Sequence, residues 1–220
     1  MSEKSTGAGR EHRYEGEEVD VTYNFRRCIH AKFCATRLSE VFDIEKRPWV
    51  NPNAASVEKI VATIELCPSG ALHYDRKDGV KEIPAGENTI RIQHNGALEI
   101  RGDLAIQGTN LDIPHETRVA LCRCGASKNK PFCDNSHNES GFEAIETAPI
   151  IREGDHEKGG KLTIIAHANG PLEVQGNFEI IGSGGETLFR GNKTWLCRCG
   201  GSGKKPFCDS THKKNGFTAE

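Results

Sequence analysis

One pattern limits what this chain can become more than any other. Cys-x-Cys, eight residues, Cys, three residues, His is written twice. The first copy reads LCRCGASKNKPFCDNSH and ends at His137; the second reads LCRCGGSGKKPFCDSTH and ends at His212. Cys122, Cys124, Cys133 and His137 align with Cys197, Cys199, Cys208 and His212 at a constant offset of 75 positions. Three thiolates and one imidazole make four donors, the complement for one zinc ion or one [2Fe–2S] cluster. Cys122 and Cys124 can reach one metal atom from an extended turn. Cys133 and His137, four apart, share a face of a single helical turn. Two pairs on separate segments suit two irons bridged by sulfides, and they leave a tetrahedral zinc open.

The repeat continues upstream. HNGALEIRGDLAI (His94–Ile106) matches ANGPLEVQGNFEI (Ala168–Ile180) at an offset of 74, so one residue is gained in a loop. Ile90–Gln93, Leu98–Arg101, Leu162–Ala166 and Leu172–Gln175 read as short strands joined by Asn-Gly turns, and Val119–Leu121 and Thr194–Leu196 as strands entering the motifs. Hydrophobic residues make up only 35% of the chain and charged residues 27%. That balance points to several small cores, which often lean on metals for stability. The expected class is α+β, with an α+β unit over residues 15–83 and two small β-rich repeats over 86–146 and 160–220. Pro84–Gly86 reads as a linker.

Residues around the donors suit a built site. Gly125 and Gly200 allow tight backbone near the sulfurs, Pro131 and Pro206 stiffen the approach to the third cysteine, and Asp134 and Asp209 can cap the short helix carrying each histidine. Ser136 and Thr211 set a hydroxyl beside each histidine. The whole pattern, C-R-C-G-x-S-x3-P-F-C-D-x-[ST]-H, resembles the signature of the mitoNEET-type CDGSH iron–sulfur proteins. The signature's glycine is Asn135 in one copy and Ser210 in the other. The resemblance implies one [2Fe–2S] cluster per motif, with Cys122 and Cys124 on the inner iron and Cys133 and His137 on the outer, and likewise in the second copy. It also implies an internal pseudo-dimer with exchanged β structure inside one monomeric chain. A neutral imidazole in place of a thiolate raises the potential, and its titration makes a cluster acid-labile.

The N-terminal region has a different grammar. Val19–Tyr23 alternates like a strand, Cys28–Leu38 reads as a short helix, a helix capped by Asn53 or Ser56 runs to about Leu66, and Ala71–Tyr74 returns as a strand. Cys28, Cys34 and Cys67 remain. Together with His30, Val41-Phe42, Trp49 and Cys67-Pro68-Ser69-Gly70-Ala71-Leu72 they resemble the divergent mono-cluster ferredoxin domain. Three cysteines suit a [3Fe–4S] cluster, or a [4Fe–4S] cluster with a further ligand such as His30; a domain without a cluster is the alternative.

A net charge of -2 gives no footprint for nucleic acid. Lys128, Lys130, Lys204, Lys205, Lys213 and Lys214 gather near the motifs as a solvated rim or a docking surface for an acidic redox partner. The polar start lacks a secretory pattern, and no apolar run spans a bilayer, so a soluble, cytoplasmic protein is expected. Nine cysteines in a reducing compartment read as metal ligands. His12, His73, His94, His115, His156 and His167 read as surface or turn residues. Gly182–Gly185 lacks the Lys-Ser/Thr of a phosphate loop and reads as a turn. The expected function is electron transfer or cluster donation to a redox partner or an apo iron–sulfur acceptor, not catalysis. The alternatives are an electron-feeding subunit of an oxidoreductase and a zinc-stabilised interaction module.

Overall fold

The computed structural model describes residues 11–144 and 157–220, and the backbone alone of Ile151 and Arg152. His156 and the end of the expected first repeat at residues 145–146 lie outside the described residues. The chain divides into two compact units, with the boundary between Ile83 and Pro84.

In the first unit, β1 (Glu11–Tyr14), β2 (Val19–Asn24), α1 (Phe33–Arg37), α2 (Val57–Ile64) and β3 (Leu72–Arg76) follow in chain order. The strands form an antiparallel sheet in the order β1-β2-β3, with Val21 opposite Tyr74 and Tyr23 opposite Leu72. Helical spacing puts Val57, Ile60 and Ile64 on one buried face of α2. They close a core with Val19, Val21, Phe42, Val50 and Leu72. Trp49 meets Tyr23 edge-on at 4.8 Å. Ser56 holds the N-cap position of α2 without a side-chain bond, and Asn53 is engaged elsewhere, accepting from the Glu17 amide at 2.8 Å. The helix expected over Cys28–Leu38 shrinks to Phe33–Arg37, because His30 and Lys32 adopt left-handed backbone at φ 53° and 62°. Polar Glu11–Tyr14 gave no strand signal; it forms β1 by pairing with β2, where Arg13 bridges Asp20 and Asp75.

The second unit holds both repeats. β4 (Thr89–Ile92), β5 (Leu98–Gly108) and β6 (Leu111–Leu121) lead into the first motif loop, which carries α3 (Ser136–Glu139). β7 (Ile151–Arg152), β8 (Lys161–Ala166), β9 (Leu172–Ile181) and β10 (Thr187–Leu196) lead into the second. Each repeat is a meander, β4-β5-β6 and β8-β9-β10, of antiparallel pairs. The repeats also exchange partners. β5 pairs parallel with β8 with Ile106 opposite Ile164, and β4 pairs parallel with β9 with Ile90 opposite Ile180. Those registers are the same pairing at the sequence offset of 74. The exchange merges both repeats into one barrel-like sheet with one core, in which Ile90, Ile106, Ile164 and Ile180 are fully buried. The several small cores expected from composition are two among the described residues, one per unit, and the described residues are mostly β, their longest helix eight residues. Truncating one side chain of this shared core, as in Ile180→Ala, should cost about 2–5 kcal/mol, read by denaturant unfolding.

Candidate metal centres

β6 and β10 each run into a motif loop that folds back on the strand. Leu121 bridges Phe132 and Leu196 bridges Phe207. The Cys122 amide donates to Pro131 O (2.8 Å) and the Cys133 amide to Ala120 O (2.9 Å); Cys197 to Pro206 O and Cys208 to Trp195 O repeat this at 2.8 Å each. Ser127 Oγ donates to Phe132 O and Ser202 Oγ to Phe207 O, both at 2.7 Å. Asp134 gathers the Lys128 amide (2.8 Å) and the Ser136 amide and hydroxyl (3.0 and 2.7 Å). Asp209 gathers the Gly203 amide and the Thr211 amide and hydroxyl in the same way. Burial would raise the Asp134 carboxyl, but the Ser136 and Lys128 bonds outweigh it and hold it below the usual range. The Thr211 hydroxyl and Gly203 amide hold Asp209 far below that range.

Asp134 and Asp209 are not the helix caps themselves. The N-cap positions are Asn135 and Ser210, both left-handed at φ 68° and 70°. These are the positions where the CDGSH signature has glycine. A left-handed serine costs roughly 1–2 kcal/mol, against roughly 0.4–1 kcal/mol of unfolded-chain freedom that glycine adds. Ser210→Gly should therefore raise stability by up to about 1 kcal/mol, and Asn135→Gly by less, as measured by calorimetry of the apo-protein.

The donors come in pairs. Cys122 Sγ and Cys124 Sγ are 3.7 Å apart, and Cys197 Sγ and Cys199 Sγ are 3.8 Å apart. Cys133 Sγ lies 3.6 Å from His137 Nδ1, and Cys208 Sγ lies 3.5 Å from His212 Nδ1. Two thiolates at about 2.3 Å from one tetrahedral metal stand about 3.8 Å apart, and a thiolate and an imidazole about 3.6 Å apart. Each pair thus has the separation of two donors on one metal atom. Among the described residues, no three His, Cys, Asp or Glu are placed to hold one metal ion. Backbone amides already point at the sulfurs: Ala126 at Cys124, Asn135 at Cys133, Gly201 at Cys199 and Ser210 at Cys208, all at 3.4 Å.

Two features of the site were not foreseen in the sequence. Arg123 and Arg198, each between two donor cysteines, are 1% exposed. Arg123 donates to Gly96 O (3.0 Å) and Gln93 O (2.7 Å); Arg198 donates to Gly170 O (3.1 Å) and His167 O. They lie over the rings of Phe142 and Phe217, whose other neighbours, Lys205 and Lys130, come from the opposite repeat. Burial pulls the Arg198 guanidinium down while the charge of Cys122, in the other repeat, pushes it back up. The signal was the C-R-C kept in both copies. Second, Gly125 and Gly200 face the opposite motif rather than their own sulfurs. Both have positive φ, 83° and 76°, and a Cβ on Gly125 would lie 2.7 Å from Cys199 O, while one on Gly200 would lie 2.9 Å from Cys124 C. The two motif loops therefore abut through the backbone of their own donor cysteines.

Burial pushes the Cys133 thiol up to about 11. The bond between Cys122 and Cys124 pulls Cys122 down and pushes its partner up, so the two hold a proton between them. Metal loading must displace these protons. Each thiol that is protonated in the free protein and ionised in the loaded one favours loading by about tenfold per pH unit until pH passes its own value. Reconstitution of the apo-protein should therefore strengthen steadily between pH 6 and pH 9, which a titration with a cobalt probe would read.

In the first unit Cys28, Cys34 and Cys67 are half-buried. Cys28 follows a 3-10 turn (Phe25–Arg27), Cys34 sits in α1, and Cys67 closes the end of α2. Burial pushes the Cys34 thiol up to about 11, and the charges of Cys67 and Cys28 add to that. Cys67 Sγ meets Ser69 Oγ at 3.6 Å. His30 is exposed, with Nδ1 4.0 Å from Cys28 Sγ. Of the remaining histidines, His73 and His167 bond Glu82 (2.9 Å) and Glu173 (2.7 Å). No helix among the described residues is long and apolar enough to cross a membrane.

Comparison with known families agrees with this layout. The divergent 4Fe-4S mono-cluster family matches residues 14–77. The iron-binding zinc finger CDGSH-type family matches twice, at residues 95–138 and 169–213. The uncharacterised protein YjdI of Escherichia coli (strain K12) is 38% identical over 64 residues, which covers 29% of this chain and 84% of that protein. Its counterpart in Escherichia coli O157:H7 matches to the same extent. No solved structure matches the chain.

Proposed function

The chain is an iron–sulfur protein with a divergent 4Fe-4S mono-cluster domain at its N-terminus and two CDGSH-type iron-binding domains in tandem behind it, and from that premise we propose that it carries electrons, or whole clusters, on two [2Fe–2S] centres. Cys122, Cys124, Cys133 and His137 would hold one; Cys197, Cys199, Cys208 and His212 would hold the other. The observation that carries this is the pairing of donors, each pair spaced for one tetrahedral metal atom, in both motifs. Two pairs on separate segments fit two irons, whereas a structural zinc needs all four donors around one ion. When bound, a cluster of this type accepts and returns one electron. The chain's part is to set the conditions. Four amides aimed at the sulfurs and the buried Arg123 and Arg198 offset the negative charge of the thiolates, which favours reduction. The packed barrel core keeps water from the inner cysteines, since Cys122 and Cys197 are 1% exposed.

The symmetric strand exchange supports an internal pseudo-dimer, one chain performing what two copies of a single repeat would. A third cluster on Cys28, Cys34 and Cys67, of [3Fe–4S] or [4Fe–4S] type, fits the mono-cluster domain. We place catalysis outside this chain, in a cytoplasmic redox partner or apo iron–sulfur acceptor. A dye-mediated reductive titration followed by electron paramagnetic resonance tests the reading. One reversible electron per motif is expected. A protein that takes up no electrons at its motifs would refute it.

A further inference from the structure

The two motifs match at every donor, yet their surroundings have diverged in one direction. Residues 126–144 carry two lysines and three acids, net -1; the matching residues 201–219 carry four lysines and one acid, net +3. The changes flank the histidine: Asn138 and Glu139 in the first motif are Lys213 and Lys214 in the second, and Asn129 is Lys204. All three lysines are exposed. At the strand end, Ala120 (2% exposed) is replaced by Trp195, 46% exposed. Trp195 is tied to the donor segment, since its carbonyl accepts from the Cys208 amide at 2.8 Å. The second motif is also the more open: Cys133 and Phe132 are buried, Cys208 and Phe207 only partly. A shallow groove of about 700 Å³ runs here, lined by Trp195, Phe217, Pro171, Lys213 and His212.

We propose that the second motif is the electron port of the molecule, and that the Trp195 groove with its lysine rim docks an acidic one-electron redox protein. This rests on the two-cluster function proposed above. An exposed indole in a groove with Lys213 in its lining and Lys193 over the indole ring has the make-up of a transient interface: an aromatic contact with charge beside it to steer the encounter. Glu173, the acid nearest Trp195 through Lys193, is already taken up by Lys193 (2.9 Å) and His167 (2.7 Å), so it does not oppose an incoming acidic surface. Half-buried His212 lines the groove, so a partner seated there comes closest to the second cluster. The step is one-electron and proton-free: the reduced donor loses one electron and is oxidised, and one ferric ion of the second cluster gains it and becomes ferrous.

The test is stopped-flow reduction of the fully loaded chain by a reduced plant-type ferredoxin, an acidic one-electron donor of lower potential. Two phases of equal amplitude are expected at low salt, the fast one belonging to the second cluster and slowing steeply as ionic strength rises. Lys213→Glu with Lys214→Glu should slow the fast phase about tenfold, Trp195→Ala several-fold, and both should leave the visible spectrum intact. The reciprocal pair Asn138→Lys with Glu139→Lys should quicken the slow phase. A single salt-independent phase, or charge variants with unchanged rates in a protein whose spectrum shows both clusters, would overturn the port alone. A protein without a cluster spectrum would overturn the port and the function beneath it together.

Discussion

His137→Cys is expected to lower the reduction potential of the first motif by on the order of 100 mV and to leave the second motif within about 20 mV of its starting value. The reasoning is charge. Imidazole binds iron as a neutral donor and cysteine as an anion, so the exchange adds one negative charge to a centre set in a mostly buried loop. Centres with two histidines lie roughly 250 mV or more above all-cysteine ones, and one histidine should give about half of that. The Asn135 amide on Cys133 and the guanidinium of Arg123 stay in place in this variant, so the shift isolates the ligand. The same exchange removes the donor that protons compete for. Burial and the charge of Arg123 already hold the His137 imidazole below its usual range, which favours the neutral form that binds iron, and acid attack has to protonate it. The His137→Cys protein should keep its first cluster longer than the parent at pH 5. A redox titration followed by electron paramagnetic resonance gives the potential, and decay of visible absorbance gives the acid lability.

Gly200→Ala should destabilise the second unit strongly through a single added methyl group. The backbone at Gly200 is left-handed, which costs an alanine roughly 1–2 kcal/mol. The added Cβ would also meet the Cys124 backbone of the other motif, which has no side-chain freedom to yield, for roughly 1–3 kcal/mol more. The sum of about 2–5 kcal/mol corresponds to a fall in Tm of roughly 5–15 °C for a domain of this size. Gly185→Ala is the control, because Gly185 has a φ of 90° with nothing within 4 Å of a Cβ. It should show the backbone penalty alone. The difference between the two variants, read by calorimetry on the apo-protein, measures the contact between motifs. In the loaded protein Gly200→Ala should weaken cluster retention at both motifs, because Gly200 presses on Cys124 and Gly125 on Cys199.

Local chemistry was legible in the chain, and long-range pairing was not. The eight donors stand out because a spacing of two and four residues fixes side-chain proximity whatever the rest of the fold does. The structure brings each pair to the separation of a shared metal. Leu98–Arg101 and Leu172–Gln175 read as short strands, but β5 and β9 run to Gly108 and Ile181, well past the signal. Their second halves pair with the other repeat, so their strand character comes from a partner about 60 residues away in sequence for β5 and about 90 for β9. No local pattern records that. The same blindness explains Gly125 and Gly200, whose reason lies across the molecule. It also explains β1, which is polar and stands only because β2 offers it an edge. Trp195 read as one more strand residue; its meaning came from exposure beside His212 and from the buried alanine at its counterpart. The cysteines of the first unit were visible, and the structure leaves all three half-buried, with His30 exposed beside Cys28.

The central claim, that each motif holds two bridged irons, is met most directly by counting atoms. Iron, acid-labile sulfide and zinc would be quantified on anaerobically purified protein whose visible spectrum is recorded on the same sample. Red-brown protein with no zinc and about four irons and four sulfides per chain is expected, rising to about seven or eight irons if the first unit is also loaded. Colourless protein with about one zinc per motif and no sulfide would contradict it.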